Sequence, residues 1–283
     1  MFLMQTINEE KCSHFSLVVI EVNKINVQNC KDYGYDVVAG AVDVGSIQAF
    51  CDRYSSTASF STSSFSYLPT RDEYRESKEV QNLLSLEVLD TFAKELNKRL
   101  VFQLVEARLG SSQIGWHVDN FAEPSLVSDS YYSMIIALGD VGSNAGCFEV
   151  VSGSHKVNRD SDIINQKQCN DDPHGCFKYF DDLVEELAKT SPIYQFRGKR
   201  GDIILWSGSA IHRGAKGKNE GKKDDSTWLR NSLFVHFTLH DLVKPGHMIE
   251  KLGYGDNLYF STHPTSDTTE PPSPPPNSNP APE

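Results

Sequence analysis

The chain lacks a hydrophobic run long enough to cross a membrane. Of its 283 residues, 39% are hydrophobic and 23% are charged. The longest apolar run falls far short of the about 20 residues that a membrane-spanning helix needs. The first residues, Met1-Phe2-Leu3-Met4-Gln5, lack the length and the basic flank of a signal peptide. The sequence therefore predicts a globular cytoplasmic protein with no membrane partner.

Positive charge is also scarce. Lys and Arg total 27 against 38 Asp and Glu, so the formal net charge is −11. The densest lysine cluster, between residues 216 and 223, is offset by acidic neighbours. Nucleic acids and anionic membranes bind extended basic surfaces, so both are excluded as the main partner. The sequence leaves the oligomeric state open.

The sequence has no cysteine framework, no glycine-rich phosphate loop and no nucleophile elbow. Its six cysteines are spread without a pairing pattern, which predicts reduced thiols in an intracellular protein. Cys169, His174 and Cys176 come nearest to a zinc pattern. They supply only three ligands among loop-forming residues, so we do not expect zinc there.

Helical and extended segments can be distinguished by the spacing of apolar residues. Apolar side chains at helical spacing predict one long helix over 79–99, packed against the outside of a sheet. Shorter helices are predicted over 43–54, with Asp43 or Ser46 as the N-cap, and over 179–189. Residues 16–22 and 34–38 have the composition of short strands.

The region between residues 100 and 240 has short apolar strands separated by long loops, which is typical of a double-sheet jelly roll. Residues 264–283 hold eight of the thirteen prolines and cannot build a core. We therefore expect a mainly β, cupin-like fold with flanking α-helices in one domain over 1–262. A disordered, proline-rich tail is expected over 263–283.

The tripeptide His117-Val118-Asp119 predicts a metal site together with His212. Side chains alternate faces along a strand, so His117 and Asp119 can bind one ion from the same side. His212 ends the strand-like segment 201–212 and can supply a third ligand if that segment folds back beside the first. Two imidazoles and one carboxylate suit non-haem Fe(II) with three open positions. Alone, the tripeptide also fits a surface histidine beside a solvated aspartate.

The order of neighbouring motifs strengthens the metal interpretation. Gly115-Trp116 precedes the tripeptide, an apolar strand covers 132–138, and Asn-Ala-Gly-Cys-Phe-Glu-Val-Val-Ser-Gly-Ser-His-Lys follows over 144–156. This order resembles the phytanoyl-CoA dioxygenase family of iron- and 2-oxoglutarate-dependent oxygenases. Two departures from the family pattern are Ser152, where proline is usual, and Ala145, which separates Asn144 from Gly146.

The resemblance implies a double-stranded β-helix that uses Fe(II), 2-oxoglutarate and O2 to oxidise an unactivated C–H bond of a small metabolite. His117, Asp119 and His212 would be the metal ligands and catalytic residues. Arg230, followed by Ser232 on the same strand face, would bind the C5 carboxylate of 2-oxoglutarate, and Gln103 would be a further polar contact. The eighteen-residue gap from His212 to Arg230 exceeds the family's usual gap of about a dozen.

Several alternatives stay open at this point. The reaction could be hydroxylation, ring closure or desaturation, and a non-catalytic jelly-roll binding protein would keep the same scaffold. Halogenation is disfavoured, because related halogenases replace the carboxylate that this chain keeps as Asp119. Arg213 should point away from the site because its neighbour His212 points inward. His155 is expected to stabilise a turn, and His236 to be an ordinary strand or surface residue.

The substrate would be selected by the loops that differ most from a minimal barrel, over 55–78, 120–131 and 157–191. The polar and aromatic side chains in these loops fit a small polar or carboxylated metabolite, and specialised metabolism is the expected setting.

Overall fold

A computed structural model describes residues 24–54, 66–67, 71–109, 115–119, 131–141, 146–157, 173–215, 231–239, 241, 243, 248–253 and 256–262. None of the helices in these segments is long and apolar enough to span a membrane. The predicted strand at 16–22, the proline-rich segment 263–283 and Arg230 lie outside the described residues.

Eleven strands in the described segments form two sheets. The larger sheet has the hydrogen-bonded order β1-β7-β4-β9-β3-β11-β10, with β2 also paired to β3, and the smaller sheet has the order β6-β5-β8. The strands are β1 Tyr35–Val38, β2 Ser66–Tyr67, β3 Leu100–Leu109, β4 Tyr131–Ala137, β5 Phe148–Val151, β6 Ile193–Phe196, β7 Ile203–Ser207, β8 His212–Gly214, β9 Asn231–Leu239, β10 Met248–Lys251 and β11 Leu258–Thr262. This architecture confirms the predicted mainly β jelly roll.

Alternation along the central strands of the large sheet builds two separate cores. On β4, Met134 and Ile136 pack in the outer core with the helices, whereas Ile135 and Ala137 pack in the inner core against the small sheet. Strands β7 and β9 alternate in the same way, and all three are buried over nearly their whole length. Both faces of the large sheet are therefore covered, and the inner face is free to carry a site within the barrel.

Six helices flank the sheets within the described segments. They are α1 Val27–Tyr33, α2 Val44–Tyr54, α3 Arg71–Glu76, α4 Lys78–Leu84, α5 Glu87–Leu96 and α6 Pro173–Leu187. As expected, Asp43 caps α2, since its Oδ2 accepts a hydrogen bond from Ser46 N at 2.8 Å. Helix α6 starts earlier than the predicted 179–189.

The single helix predicted over 79–99 is wrong, because the structure has two helices there. Helix α4 ends at Leu84 and α5 begins at Glu87. Leu86 has an extended backbone (φ −80°, ψ 134°) and is buried in the outer core. The break reorients α5 so that Leu89 and Phe92 pack on the sheet, where the Phe92 ring meets Tyr132 edge-on at 5.3 Å. The predicted packing of this region outside a sheet is confirmed.

Helix α6 supports the segment that carries His117 and Asp119. Phe180 and Val184 of α6 form one buried cluster with Trp116, Val118 and Ile211. Apolar side chains therefore flank His117 on both sides in sequence, and their burial on one face directs the alternating His117 and Asp119 side chains to the other face.

Candidate metal centre

The backbone brings His117 beside His212. His117 N donates to His212 O at 3.0 Å, and His212 N donates to His117 O at 2.9 Å. This antiparallel bridge extends the small sheet by one short segment, and the two imidazole centroids lie 4.3 Å apart. The predicted return of a distant strand beside the tripeptide is therefore present.

The side chains of His117, Asp119 and His212 converge on one point. One ligand atom from each lies within 4.8 Å of the other two. Asp119 Oδ1 is 3.4 Å from His212 Nε2 and 3.9 Å from His117 Nε2. Among the described residues, this is the one group of three or more potential metal-ligating side chains.

Backbone carbonyl groups fix the tautomer of both imidazoles. His117 Nδ1 donates to Gly115 O at 2.7 Å, and His212 Nδ1 donates to Ala210 O at 2.9 Å. The Nε2 atoms are then unprotonated in the neutral rings and present lone pairs toward Asp119. His212 Nε2 is buried and makes no hydrogen bond among the described residues. Acceptors that face one another at 3.4 Å repel unless a cation lies between them, so the donor set fits a metal ion.

The surroundings keep the His117 imidazole neutral and the Asp119 carboxylate charged. Burial, and after it the neighbouring His212, lower the pKa of His117 to about 4. Burial alone would raise the pKa of Asp119, but His212 and His236 hold that pKa well below its ordinary value. Neutral imidazole and ionised carboxylate are the protonation states that bind a divalent metal.

The second oxygen of Asp119 is held by the large sheet. Asp119 Oδ2 accepts from Ser133 Oγ at 2.7 Å and from Trp206 Nε1 at 3.0 Å. Ser133 on β4 pairs with Trp206 on β7 and with His236 on β9, so the three residues form one row across adjacent strands. The sheet therefore presents two donors to Asp119 from fixed backbone positions.

His236 was the residue that sequence reasoning missed. It is buried, its Nδ1 lies 2.7 Å from Ser133 Oγ, and the same nitrogen is 4.0 Å from Asp119 Oδ2. The expectation of an ordinary strand or surface residue overlooked this contact. The alternation of side chains along a strand could have predicted this position, because His236 lies four residues after Ser232 and must share its face.

Arg213 points away from the three converging side chains, as predicted. Its Nε donates to Glu149 Oε2 at 2.6 Å, and its guanidinium carbon lies 4.3 Å from the centre of the Trp116 ring. Glu149 also accepts from Gln195 Nε2 at 2.7 Å. These contacts brace β8 against the segment before His117 from the outer side of the small sheet.

The predicted co-substrate residues are only partly described. Ser232 is buried at the start of β9, and its Oγ has no hydrogen-bond partner among the described residues. Gln103 is the extra residue where the register of β3 shifts opposite His236, and such bulges are frequent beside active sites. Arg230 precedes β9 directly but lies outside the described residues, as do most of the predicted substrate loops.

His155 has the structural role that was expected. It lies in the 3-10 turn Ser154–Lys156, and its Nε2 hydrogen-bonds to Lys31 O at 3.0 Å. The ring packs so closely on Gly34 that an added Cβ there would lie 2.6 Å from Nδ1. His155 therefore holds α1 against this turn and is not one of the three converging side chains.

Comparison with known proteins shows the family to which the chain belongs. The profile of the family described as Phytanoyl-CoA dioxygenase (PhyH) matches residues 31–223. This match covers more than half of the chain and includes the three converging side chains. No curated protein matches the chain significantly.

Solved structures share the fold at low sequence identity. The epimerase SnoN in complex with Fe3+, alpha-ketoglutarate and nogalamycin RO has a TM-score of 0.52 and 16% identity, over 83% of this chain and 96% of that one. The carbocyclase SnoK from nogalamycin biosynthesis gives 0.54 and 15%, over 75% and 82%. Iron-bound HygX from Streptomyces hygroscopicus gives 0.52 and 16%, over 75% and 85%. At these identities the likeness establishes the jelly-roll fold alone.

Proposed function

Because the chain belongs to the phytanoyl-CoA dioxygenase family of non-haem iron, 2-oxoglutarate-dependent oxygenases, we propose that it uses Fe(II), 2-oxoglutarate and O2 to oxidise a C–H bond of a small metabolite. The observation that carries the proposal is the convergence of His117 Nε2, His212 Nε2 and Asp119 Oδ1 within 4.8 Å. We assign these three side chains as the metal ligands and catalytic residues.

The bound iron would supply the oxidation of 2-oxoglutarate to succinate and CO2, coupled to attack on the substrate C–H bond. The chain's own contribution is to prepare the ligands. The carbonyls of Gly115 and Ala210 hold both imidazoles with Nε2 as the acceptor. Ser133 and Trp206 hold the carboxylate by hydrogen bonds to its second oxygen.

We assign the C5 carboxylate of 2-oxoglutarate to the start of β9. The buried Ser232 Oγ, which has no hydrogen-bond partner within the described segments, is a donor suited to a carboxylate oxygen. Arg230, two residues earlier, shares the strand parity of Ser232 and would supply the charge and a bidentate match. Gln103, at the bulge of the neighbouring strand β3, would be a further polar contact with the co-substrate.

The substrate class is inferred from chemistry and from structural relatives. SnoN is described as an epimerase and SnoK as a carbocyclase, both of nogalamycin biosynthesis. A comparable role here is the oxidation of a small polar or carboxylated metabolite of specialised metabolism, by hydroxylation, ring closure or desaturation. Halogenation is not proposed, since Asp119 occupies the coordination position that a halide would need.

The experiment is O2-dependent succinate formation by the purified protein supplied with Fe(II) and 2-oxoglutarate. Turnover, even without a substrate, is expected in the unmutated protein and lost in His117→Ala. The matched control is His155→Ala, which removes an imidazole that is not one of the three converging side chains and should retain turnover. Full turnover in His117→Ala would contradict the assignment. A fully loaded protein that forms no succinate would favour a non-catalytic binding protein.

A further inference from the structure

The hydrogen bonds around Asp119 Oδ2 form a chain with a fixed direction. Ser133 Oγ is 2.7 Å from Asp119 Oδ2 and 2.7 Å from His236 Nδ1. An ionised carboxylate has no proton to donate, so the single hydroxyl proton of Ser133 must point to Asp119. The oxygen of Ser133 then faces His236 as an acceptor, and His236 Nδ1 must carry a proton.

We propose that His236 is a positioning residue for the metal centre, acting through the Ser133 hydroxyl to hold Asp119 as a one-oxygen ligand. This inference rests on the proposed function, since it assumes that Asp119 binds a metal. With Ser133 and Trp206 both donating to Oδ2, only Oδ1 is directed at the imidazoles of His117 and His212.

The number of carboxylate oxygens on the metal matters for catalysis. Two imidazoles and one carboxylate oxygen leave three positions on a six-coordinate ion. Two-point binding of 2-oxoglutarate takes two of these positions and O2 takes the third. If Oδ2 also bound the ion, one of the two co-substrates would lose its place. Hydrogen bonds that keep Oδ2 away from the metal therefore preserve the reactive position.

The surroundings of His236 suit a positioning role better than a fourth ligand. The nitrogen nearest Asp119 is Nδ1, which is engaged with Ser133, whereas both proposed ligand imidazoles present Nε2. The His236 ring stacks on Tyr131 at 5.6 Å and contacts Phe234 at 4.6 Å. Tyr131 in turn lies on the backbone of Gly208, where an added Cβ would come within 2.3 Å of its ring.

The Ser133 hydroxyl cannot exchange its protein partners for water, because the residue is fully buried. It is 0% exposed, and Asp119 and His236 side chains are 9% and 10% exposed. Removing the His236 imidazole takes away the N–H that engages the Ser133 oxygen and fixes the orientation of this side chain. The Ser133 hydroxyl can then turn away from Asp119, and Oδ2 loses one of its two donors. The proposed effect of His236 on Asp119 thus passes through the Ser133 hydroxyl.

The test compares variants that remove or keep the donor. Ser133→Ala removes the hydroxyl, His236→Leu removes the imidazole donor, and His236→Asn keeps an N–H near the Nδ1 position. Tyr54→Phe is the matched control, because it deletes an equally buried hydroxyl that contacts Ser77 at 3.0 Å, far from Asp119. Two quantities are measured anaerobically in each protein: Fe(II) affinity by calorimetry, and the visible charge-transfer band that reports two-point binding of 2-oxoglutarate to iron.

Ser133→Ala and His236→Leu are expected to weaken Fe(II) binding by about 10- to 100-fold, the usual effect of removing a partner of a ligand, and to shift or weaken the band. His236→Asn should restore both toward the unmutated values, whereas Tyr54→Phe should lower the melting temperature without changing either. If Ser133→Ala and His236→Leu both keep the Fe(II) affinity and the band of the unmutated protein, the inference is overturned and the proposed function is not. A His236→Asn protein as impaired as His236→Leu would also overturn it, by showing that ring packing matters and the donor does not. An unmutated protein that binds no Fe(II) would overturn the proposed function as well.

Discussion

Removing the guanidinium of Arg213 tests whether its contacts with Glu149 and Trp116 stabilise the segment that carries His117 and Asp119. Glu149, its partner, is 5% exposed. From the part of the chain that the structure describes, Glu149 would keep the Gln195 amide at 2.7 Å and the weaker Cys147 thiol contact at 3.9 Å. The Trp116 ring would also lose the cation that lies 4.3 Å from its centre. Arg213→Ala therefore leaves a buried carboxylate without its charged partner.

The magnitude follows from these contacts. Deleting one partner of a fully buried ion pair costs about 3–5 kcal/mol. The Arg213 side chain is 38% exposed, so water can partly replace it and the loss falls to about 2 kcal/mol. The lost cation–π contact adds about 0.5 kcal/mol. For a domain of this size, such a loss corresponds to a fall in melting temperature of about 5–10 °C.

The assay is thermal unfolding of the metal-free protein. The melting temperature of Arg213→Lys should lie between those of the unmutated protein and Arg213→Ala, since lysine keeps the charge but loses the planar contact with Trp116. Arg213→Ala combined with Glu149→Gln should be more stable than Arg213→Ala alone, because no unpaired charge stays buried. The KM for 2-oxoglutarate should be unchanged. A melting temperature within 1–2 °C (about 0.5 kcal/mol) of the unmutated protein in Arg213→Ala would refute the argument.

Four further outcomes are expected. The metal-free protein should lose stability as the pH falls from about 6.5 toward about 4, because His117 binds a proton more weakly when folded than when unfolded; urea unfolding at several pH values, compared with His117→Asn, measures this. Arg230→Ala should raise the KM for 2-oxoglutarate by orders of magnitude, because removing one partner of a buried ion pair costs about 3–5 kcal/mol. A normal KM would mean that the strand register was misread. Deleting residues 264–283 should leave melting temperature and turnover nearly unchanged, because the segment has almost no apolar side chains to bury; a marked drop would show that it docks on the domain. With excess chloride or bromide the major product should carry no halogen by mass spectrometry, and Asp119→Gly should lose oxidation of the substrate.

The convergence of His117, Asp119 and His212 could be predicted because strand parity and motif order both constrain these positions. Alternation places His117 and Asp119 on one face, and the strand-like segment before His212 requires a return beside them. The outward direction of Arg213 followed from the same parity. These predictions depend on local geometry, which a sequence specifies directly.

Contacts that depend on strand order were harder to foresee. The link from His236 to Asp119 requires β9 to pair with β4, with Ser133 opposite His236. Neither this pairing nor its register can be predicted from a short segment of the sequence. The break between α4 and α5 was hidden for another reason. Leu86 is buried although it lies outside either helix, so the apolar spacing runs through the interruption.

The most direct measurement of the central claim is a crystal structure of the protein loaded anaerobically with Fe(II) and 2-oxoglutarate, with data collected at the iron absorption edge. A single strong anomalous peak is expected in direct bonding contact with His117 Nε2, His212 Nε2 and Asp119 Oδ1, with Asp119 Oδ2 still bound to Ser133 and Trp206. The same experiment on His212→Ala should lose the peak. An iron peak elsewhere in the chain, or an undiminished peak in His212→Ala, would contradict the account.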